Sequence, residues 1–306
     1  MRVAVIAAAV VAGAGGWLLL GPPGAIIGVV AGPVVLVVAL AVFAAFCVPD
    51  AADHMAGHEP YLALTEVRQG QWAARTLARW WPEMFFDVLA GDLLTGAEAL
   101  TALGRPSRAI GPAAEAVTLY RDAVARKPRK HEAGLARALD RQSQVLAAVG
   151  RLTEAAAGAG AAARLYRSLS VPDPGTHLPA LVCSLTCQAG WLEAAGQDSA
   201  ALAAAAEAAG ICRDRLPRDD QPSCTARAFL LQGRLLAGAA RYHEAARPLA
   251  RGWDLAAGPD EEGLRASAVP ALRATYRADQ SAFRDAWRIE ADGNLPGWLT
   301  GQPPSP

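Results

Sequence analysis

The segment LGRPSRA, residues Leu103–Ala109, recurs at a nearly fixed interval along this chain of 306 residues. Its counterparts are VGRLTEA at Val149–Ala155, AGQDSAA at Ala195–Ala201 and AARYHEA at Ala239–Ala245. The linking glycine of the first three segments, and the alanine that replaces it in the fourth, are 46, 46 and 44 residues apart. A constant period of this length indicates stacked copies of one helical unit, not a single globular core.

The residues that precede each linking position have the same spacing in every unit. Large apolar residues stand eleven and four places before it, at Leu93, Leu139, Leu185 and Phe229 and at Leu100, Leu146, Leu192 and Leu236. Because these offsets place the large apolar side chains on one helix face, they form a stripe along a helix. Each repeat is therefore predicted to contain a first helix with this apolar stripe, a turn and a second helix. Ser107, Thr153 and Ser199 favour helix starts, so the second helices are expected to begin there. An alanine-rich bundle is the alternative, but alanine bias does not explain the repeated leucine positions.

This pattern resembles the tetratricopeptide repeat (TPR), in which a Gly-x-x-x-x-Ala link joins two helices. The linking positions are Gly104, Gly150 and Gly196, and small residues of the second helix stand at Ala109, Ala155, Ala201 and Ala245, and at Ala116, Ala162, Ala208 and Gly252. The period exceeds the 34 residues typical of the family, so longer helices are expected. The resemblance implies an all-α, right-handed solenoid of helical hairpins, with four repeats of about 46 residues over 85–260 and degenerate capping helices with an irregular tail over 261–306.

The N-terminal part of the chain has a different character. Residues Val3–Pro49 contain no charged side chain, a run of 47 residues. About 20 apolar residues cross the hydrocarbon core of a membrane, so this tract is long enough for two spans. Gly21-Pro22-Pro23-Gly24 divides it with a turn signal. We therefore expect a transmembrane helical hairpin in residues 1–49, with spans at about 3–20 and 25–46; a cleaved signal peptide and a single span are the alternatives.

Residues 50–84 are expected to link the membrane anchor to the repeats. An amphipathic helix is predicted over Glu59–Trp81, with candidate apolar contacts at Leu62, Val67, Trp72, Leu77, Trp80 and Trp81. Repeat arrays need a cap at each end, and this helix is expected to be the N-terminal cap. Docking on the membrane surface is the alternative, because tryptophan favours the membrane interface.

Charge and composition indicate an orientation. Positive residues flank the apolar tract at Arg2 and from Arg68 onward, whereas its central turn has none. The positive-inside rule then places both ends in the cytoplasm. Enrichment in Arg, Ala, Gly and Pro is typical of a G+C-rich bacterial genome, so the expected location is a bacterial cell membrane with the repeats facing the cytoplasm. The 5 cysteines are odd in number and irregular in spacing, which does not indicate a disulfide framework.

Several classes of function are disfavoured by the sequence. The net charge is +0, whereas nucleic-acid binders usually have a strong basic excess. The chain contains no phosphate-binding loop, no His-Glu-x-x-His pair and no Gly-x-Ser-x-Gly elbow. Cys183 and Cys187 are four residues apart, as are His54 and His58, but no second pair of cysteines or histidines completes a zinc site. We therefore expect no enzyme activity, cofactor, metal or nucleic-acid partner.

The resemblance also implies a binding face. In the TPR family the first helices line a concave groove, and positions two, five and nine of each first helix point into it. Carried over residue by residue, the candidate peptide-groove residues are Arg137, Asp140, Gln144, Thr186, Arg227 and Arg234. Their arginines could hold acidic side chains or a C-terminal carboxylate through charge-assisted hydrogen bonds. The alternative is that each arginine pairs with a neighbouring acid.

The expected function is accordingly a membrane-anchored TPR-like scaffold that docks peptides or protein partners on its concave face. A homo-oligomer assembled through the repeats is compatible with this pattern. The alternative function is a regulatory or sensory repeat module at the membrane that binds a peptide or signalling domain transiently.

Overall fold

The computed structural model describes residues 60–80, 82–216, 222–256, 258, 261–291 and 294–300, without some side chains near residues 63–84 and at 222 and 300. Across these ranges every regular element is helical. The spans expected at about 3–20 and 25–46 lie outside the described residues. Among the described helices, none combines the length and apolar character that crossing a membrane requires.

The described ranges contain twelve helices. They are α1 (Pro60–Trp80), α2 (Pro82–Ala102), α3 (Pro106–Arg126), α4 (Pro128–Ala148), α5 (Leu152–Leu169), α6 (Pro174–Ala194), α7 (Asp198–Asp214), α8 (Pro222–Gly238), α9 (Tyr242–Leu255), α10 (Glu262–Ala278), α11 (Gln280–Glu290) and α12 (Gly297–Thr300). The chain divides into two compact units between Val149 and Gly150. The first unit contains α1 to α4 and the second contains α5 to α12.

Within each unit, helices that follow one another in sequence pack side by side. In the first unit α1 packs on α2, α2 on α3 and α3 on α4, and the first helices α2 and α4 also touch. In the second unit α6 contacts both α5 and α7, and α8 packs on α9. The first helices α6, α8 and α10 contact one another in succession, as expected for stacked helical hairpins.

The repeated positions form the interior of both units. All the stripe residues are buried except Leu100, which is half-buried. The alanines expected at close helix contacts are fully buried, at Ala109, Ala116, Ala155, Ala162, Ala201, Ala208 and Ala245. At Gly252 of α9 an added Cβ would lie 2.8 Å from the backbone nitrogen of Leu230 in α8. The small residue at this position therefore allows the close approach of α9 to α8.

Each first helix ends in a turn with left-handed backbone geometry. The φ angles are 71° at Gly104, 81° at Gly150, 73° at Gly196 and 57° at Ala240. In three of these turns the residue after the left-handed one donates its backbone N–H to a stripe leucine carbonyl at 2.8–2.9 Å: Arg105 to Leu100, Gln197 to Leu192 and Arg241 to Leu236. This is the Schellman arrangement, which satisfies carbonyls left open at a helix end.

The starts of the second helices differ from the expectation. α3, α5 and α7 begin one residue before Ser107, Thr153 and Ser199, so these hydroxyl residues lie in the first turn and do not cap it. The N-cap residues are Arg105, Arg151, Gln197 and Arg241, none of which forms a side-chain cap hydrogen bond. The turn is so short that the residue closing the first helix is also the N-cap of the second.

Arginine at this N-cap has a different partner. The Nε of Arg151 donates to Glu154 at 2.6 Å, and the Nε of Arg241 donates to Glu244 at 2.8 Å. A second nitrogen of each guanidinium binds the other carboxylate oxygen. The recurring Arg-x-x-Glu motif thus forms a bidentate ion pair on the surface at the start of α5 and of α9. The paired arginine holds the pKa of each glutamate below its usual value.

Helix α1 follows its predicted limits closely, but two of its predicted contacts are wrong. Val67 and Leu77 are buried, whereas Leu62 and Trp72 are exposed. The side chains of Trp80 and Trp81 lie outside the described part of the chain. The buried face of α1 is therefore narrower than the pattern of apolar residues suggested.

The alanine in the fourth turn predicts a stabilising substitution. Left-handed geometry costs an L-residue about 1–2 kcal/mol, a cost that glycine avoids. We expect Ala240→Gly to raise the free energy of unfolding by roughly 0.5–1 kcal/mol, measured by chemical denaturation. Ala203→Gly, at an exposed interior position of α7, is the matched control and should lower it by about 1 kcal/mol. Two changes of the same sign would contradict this account of the turn.

Candidate functional site

A cavity of about 290 Å³ lies between the first helices of the second unit. Its lining residues come from α6, α8 and α10: Thr186, Cys187, Gly190, Trp191, Arg227, Leu230, Leu231, Arg234, Leu264 and Ser267. Apolar side chains form much of the wall, and two guanidinium groups supply positive charge. The cavity brings together three of the six predicted groove residues, namely Thr186, Arg227 and Arg234.

These three residues are not equally available to a ligand. Thr186 is 3% exposed, and its hydroxyl donates to the Val182 carbonyl at 2.7 Å within α6. Arg234 forms an ion pair with Glu193 at 2.5 Å, and its Nε is buried without a hydrogen-bond partner. Arg227 is exposed and has no hydrogen bond or ion pair to any residue that the structure describes. Arg227 is therefore the most accessible cation of the cavity.

The other three predicted groove residues lie on α4, in the first unit. The guanidinium of Arg137 hydrogen-bonds to the phenol oxygen of Tyr120. Gln144 is exposed and accepts a hydrogen bond from Arg141 at 3.3 Å. Asp140 is half-buried. The cavity described above is lined by residues of the second unit alone.

Ion pairs between successive first helices were missed by the sequence analysis. Arg141 of α4 binds Glu98 of α2 at 2.6 Å, and Arg234 of α8 binds Glu193 of α6 in the same way. In both pairs the acid lies about one repeat before the arginine. The sequence suggested ion pairs only between close neighbours such as Arg137 and Asp140. An acid and an arginine separated by nearly the repeat length are the signal that predicts ion pairs between successive first helices.

A disulfide bond also joins two first helices. Cys183 of α6 and Cys224 of α8 are bonded, with their Cα atoms 5.9 Å apart. The number and spacing of the cysteines did not indicate a disulfide framework and gave no sign of this single bond. That criterion suits small disulfide-rich folds, whereas a repeat array brings residues about one period apart into contact. Cys187, which lines the cavity, and Cys212, which is buried, take no part in this disulfide.

The disulfide predicts a measurable contribution to stability. It closes a loop across a sequence separation of 41 residues. The loop-entropy relation assigns such a cross-link about 4 kcal/mol. We expect the double variant Cys183→Ser, Cys224→Ser to lose a few kcal/mol of unfolding free energy and to become insensitive to reductant. Cys187→Ser is the matched control and should keep the reductant sensitivity of the native chain; equal reductant effects in all three proteins would disprove the bond.

A second cavity, of about 410 Å³, is lined by four arginines: Arg213 of α7, Arg241 at the N-cap of α9, and Arg247 and Arg251 of α9. Two of them are already engaged, because Arg241 pairs with Glu244 and Arg251 pairs with Glu290 at 3.5 Å. The Arg251 guanidinium also lies 5.0 Å from the ring centre of Phe229. The predicted groove positions are absent from its walls. This cavity therefore belongs mainly to the packing of the second helices.

One buried acid stands apart from both cavities. Asp92 of α2 is fully buried, and neither carboxyl oxygen has a hydrogen-bond partner in the structure. Burial raises the pKa of this carboxyl from its ordinary value of 3.8 to about 7. No group of His, Cys, Asp or Glu that could hold a metal occurs among the described residues. A buried acid without a partner affects the free energy of unfolding through its protonation, whereas catalysis would require further convergent groups.

Asp92 predicts an unusual dependence of stability on pH. The folded chain keeps its proton between about pH 4 and pH 7, whereas the unfolded chain releases it, so stability falls as pH rises through this window. Each pKa unit corresponds to about 1.4 kcal/mol, which gives a loss on the order of 4 kcal/mol. Asp92→Asn should remove this loss, measured as the difference in unfolding free energy between the two proteins at pH 4.5 and pH 8. A constant difference across this range would contradict the prediction.

Comparison with known proteins supports the fold. No protein-family model and no curated protein sequence matches the chain. Among solved structures, a kinesin light chain-like protein of Podosopora anserina with nearly identical TPR-like repeats has a TM-score of 0.54, covering 69% of this chain and 93% of that one at 14% identity. BtubC (BKLC) from P. vanneervenii has a TM-score of 0.53, covering 79% and 93% at 16% identity. This likeness confirms an all-α fold built from TPR-like repeats.

Proposed function

We propose that this protein is a membrane-anchored scaffold whose TPR-like repeats dock peptide segments of partner proteins on the face of the first helices. The cavity between α6, α8 and α10 is the observation that carries the proposal. It combines the exposed guanidinium of Arg227 with apolar walls from Trp191 and Leu231. A volume of about 290 Å³ is at the lower limit of small-molecule sites and fits one or two side chains of a docked peptide.

The chemistry of the cavity defines the peptide. No acid in the described part of the chain pairs with Arg227, so a carboxylate from a ligand would give it a charge-assisted and often bidentate partner. Arg234 lines the same cavity. The ligand that fits is therefore a peptide carrying Asp, Glu or a C-terminal carboxylate next to an apolar side chain. Arg137, Asp140 and Gln144 are proposed to extend the same type of recognition on the first unit.

The anchor is proposed from the uncharged tract of 47 residues at Val3–Pro49. We propose a bacterial cell membrane as the location. The distribution of arginines supports repeats that face the cytoplasm. The Cys183–Cys224 bond instead favours an oxidising compartment, because cytosolic thiols are usually kept reduced. A topology reporter fused after Pro306 distinguishes the two orientations directly.

The docking proposal predicts selection of acidic peptides. The full chain, in nanodiscs, is panned against a random peptide display library, and the affinities of synthetic versions of the selected peptides are measured. We expect enrichment in Asp and Glu, and an affinity about 10-fold lower for Arg227→Gln, because a hydrogen bond to a charged group contributes about 1.5–3 kcal/mol.

Two further variants make this test specific. Arg227→Gln combined with Arg234→Gln should abolish the acidic preference. Arg164→Gln combined with Arg277→Gln removes the same charge from exposed positions outside the cavity and should leave affinity unchanged. Peptides without acidic enrichment, or an equal loss in both double variants, would refute docking in this cavity.

A further inference from the structure

One face of α1 combines aromatic and cationic side chains along its whole length. Positions 61, 65, 68, 72, 75, 76 and 79 follow the three- and four-residue spacing of a single helix face. They hold Tyr61, Thr65, Arg68, Trp72, Arg75, Thr76 and Arg79, hereafter the Trp72 face. The face is about 27 Å long, from the rise of 1.5 Å per residue. No acidic residue occurs at any of these positions.

The orientation of the Trp72 face is fixed by the packing of α1. The opposite side of the helix buries Val67, Ala74 and Leu77, and α1 packs against α2. The Trp72 face is consequently directed away from the first unit. Its aromatic residues are strongly exposed, Tyr61 at 68% and Trp72 at 65%.

Exposed apolar residues are concentrated on this helix. The structure records six exposed large hydrophobic side chains in its described ranges. Three of them, Tyr61, Leu62 and Trp72, lie on α1, with Leu62 at the edge of the Trp72 face. A concentration of exposed large apolar side chains on one helix is typical of an interaction site.

The polar groups of the Trp72 face leave positive charge unmatched. The hydroxyls of Thr65 and Thr76 donate to carbonyls of their own helix at 3.0 and 2.8 Å. Arg75 pairs with Glu115 of α3 at 2.7 Å, and both side chains are about half exposed. Arg68 and Arg79 are exposed and make no hydrogen bond or ion pair with any side chain that the structure describes. Among the side chains that the structure describes, none pairs with these two guanidinium groups, which lie on either side of the exposed indole of Trp72.

The position of α1 in the chain identifies the partner. The uncharged tract ends at Pro49, and ten residues separate it from Pro60, where α1 begins. Ten extended residues reach at most about 35 Å, so an anchored chain holds the start of α1 close to the bilayer. Indole rings favour the membrane interface, and arginines interact with anionic headgroups there.

We propose that the Trp72 face binds the surface of an anionic phospholipid bilayer, with α1 lying along the interface. This proposal rests on the membrane anchorage proposed above and adds a second, charge-dependent contact. The contact fixes which side of the first unit faces the lipid. The first unit is then held against the membrane by α1, and is not merely tethered to it through residues 50–59.

The experiment uses the full chain reconstituted into vesicles of phosphatidylcholine, with and without phosphatidylserine, that carry bromine near the headgroups. Bromine quenches tryptophan fluorescence at short range, and the difference between the native chain and Trp72→Phe isolates the signal of Trp72. We expect Trp72 to be quenched in vesicles with phosphatidylserine and to be quenched less without it. High salt should reduce the quenching, because the contact is partly electrostatic.

Charge variants measure the contribution of the arginines. Arg68→Gln combined with Arg79→Gln should weaken surface association on the order of 30-fold, from about 1 kcal/mol for each arginine near an anionic surface. Arg108→Gln combined with Arg121→Gln removes the same charge from exposed positions on α3 and should have no effect.

The outcomes separate the two proposals. Flotation of the vesicles in a density gradient shows whether the chain is anchored. If the chain floats with the vesicles but Trp72 is not quenched, the anchorage stands and the proposed contact of α1 is wrong. Quenching that is indifferent to phosphatidylserine and to the arginine variants overturns the electrostatic contact. A chain that floats with neither kind of vesicle overturns the anchorage and, with it, the proposed surface contact.

Discussion

A single residue with left-handed backbone geometry between the two helices of each repeat is the constraint on which this architecture depends. It reverses the chain within a few residues, and in three of the four turns the next N–H closes the end of the first helix by binding a stripe leucine carbonyl. Because α9 starts directly after its turn, its small residue Gly252 lies opposite α8. Packing of the stripe, close helix contacts and regular stacking all follow from this turn. The fourth turn shows how strong this constraint is, because Ala240 adopts the same left-handed conformation although it lacks the conformational freedom of glycine.

Much of the fold could be predicted because the repeat supplies independent copies of the same evidence. Leu93, Leu139 and Leu185 were placed on a buried stripe from their offsets, and all three are buried. The helix starts were less predictable. Ser and Thr are good caps in isolation, but the backbone closure of the preceding helix determines which residue occupies the N-cap. Local preference was overridden by a turn whose geometry depends on both helices.

The candidate site could be predicted only in outline. The motif carried over from TPR proteins placed Arg227 and Arg234 in one cavity. It could not reveal that Thr186 hydrogen-bonds within its own helix or that Arg234 pairs with Glu193, because both depend on side-chain geometry. The same holds for the disulfide and for Trp72. The spacing of apolar residues in α1 could not show which of them are buried, because large apolar side chains occur on both faces of this helix.

The bond between Cys183 and Cys224 has a mechanical consequence. In stacked helical hairpins, tension passes from each pair of helices to the next, and the weakest interface opens first. Within the second unit, the cross-link carries the load from α6 to α8 through the sulfur atoms. The chain between these cysteines, 41 residues in sequence separation and including α7, is then shielded from tension. Under load, this part of the second unit stays intact while other interfaces of the same unit open.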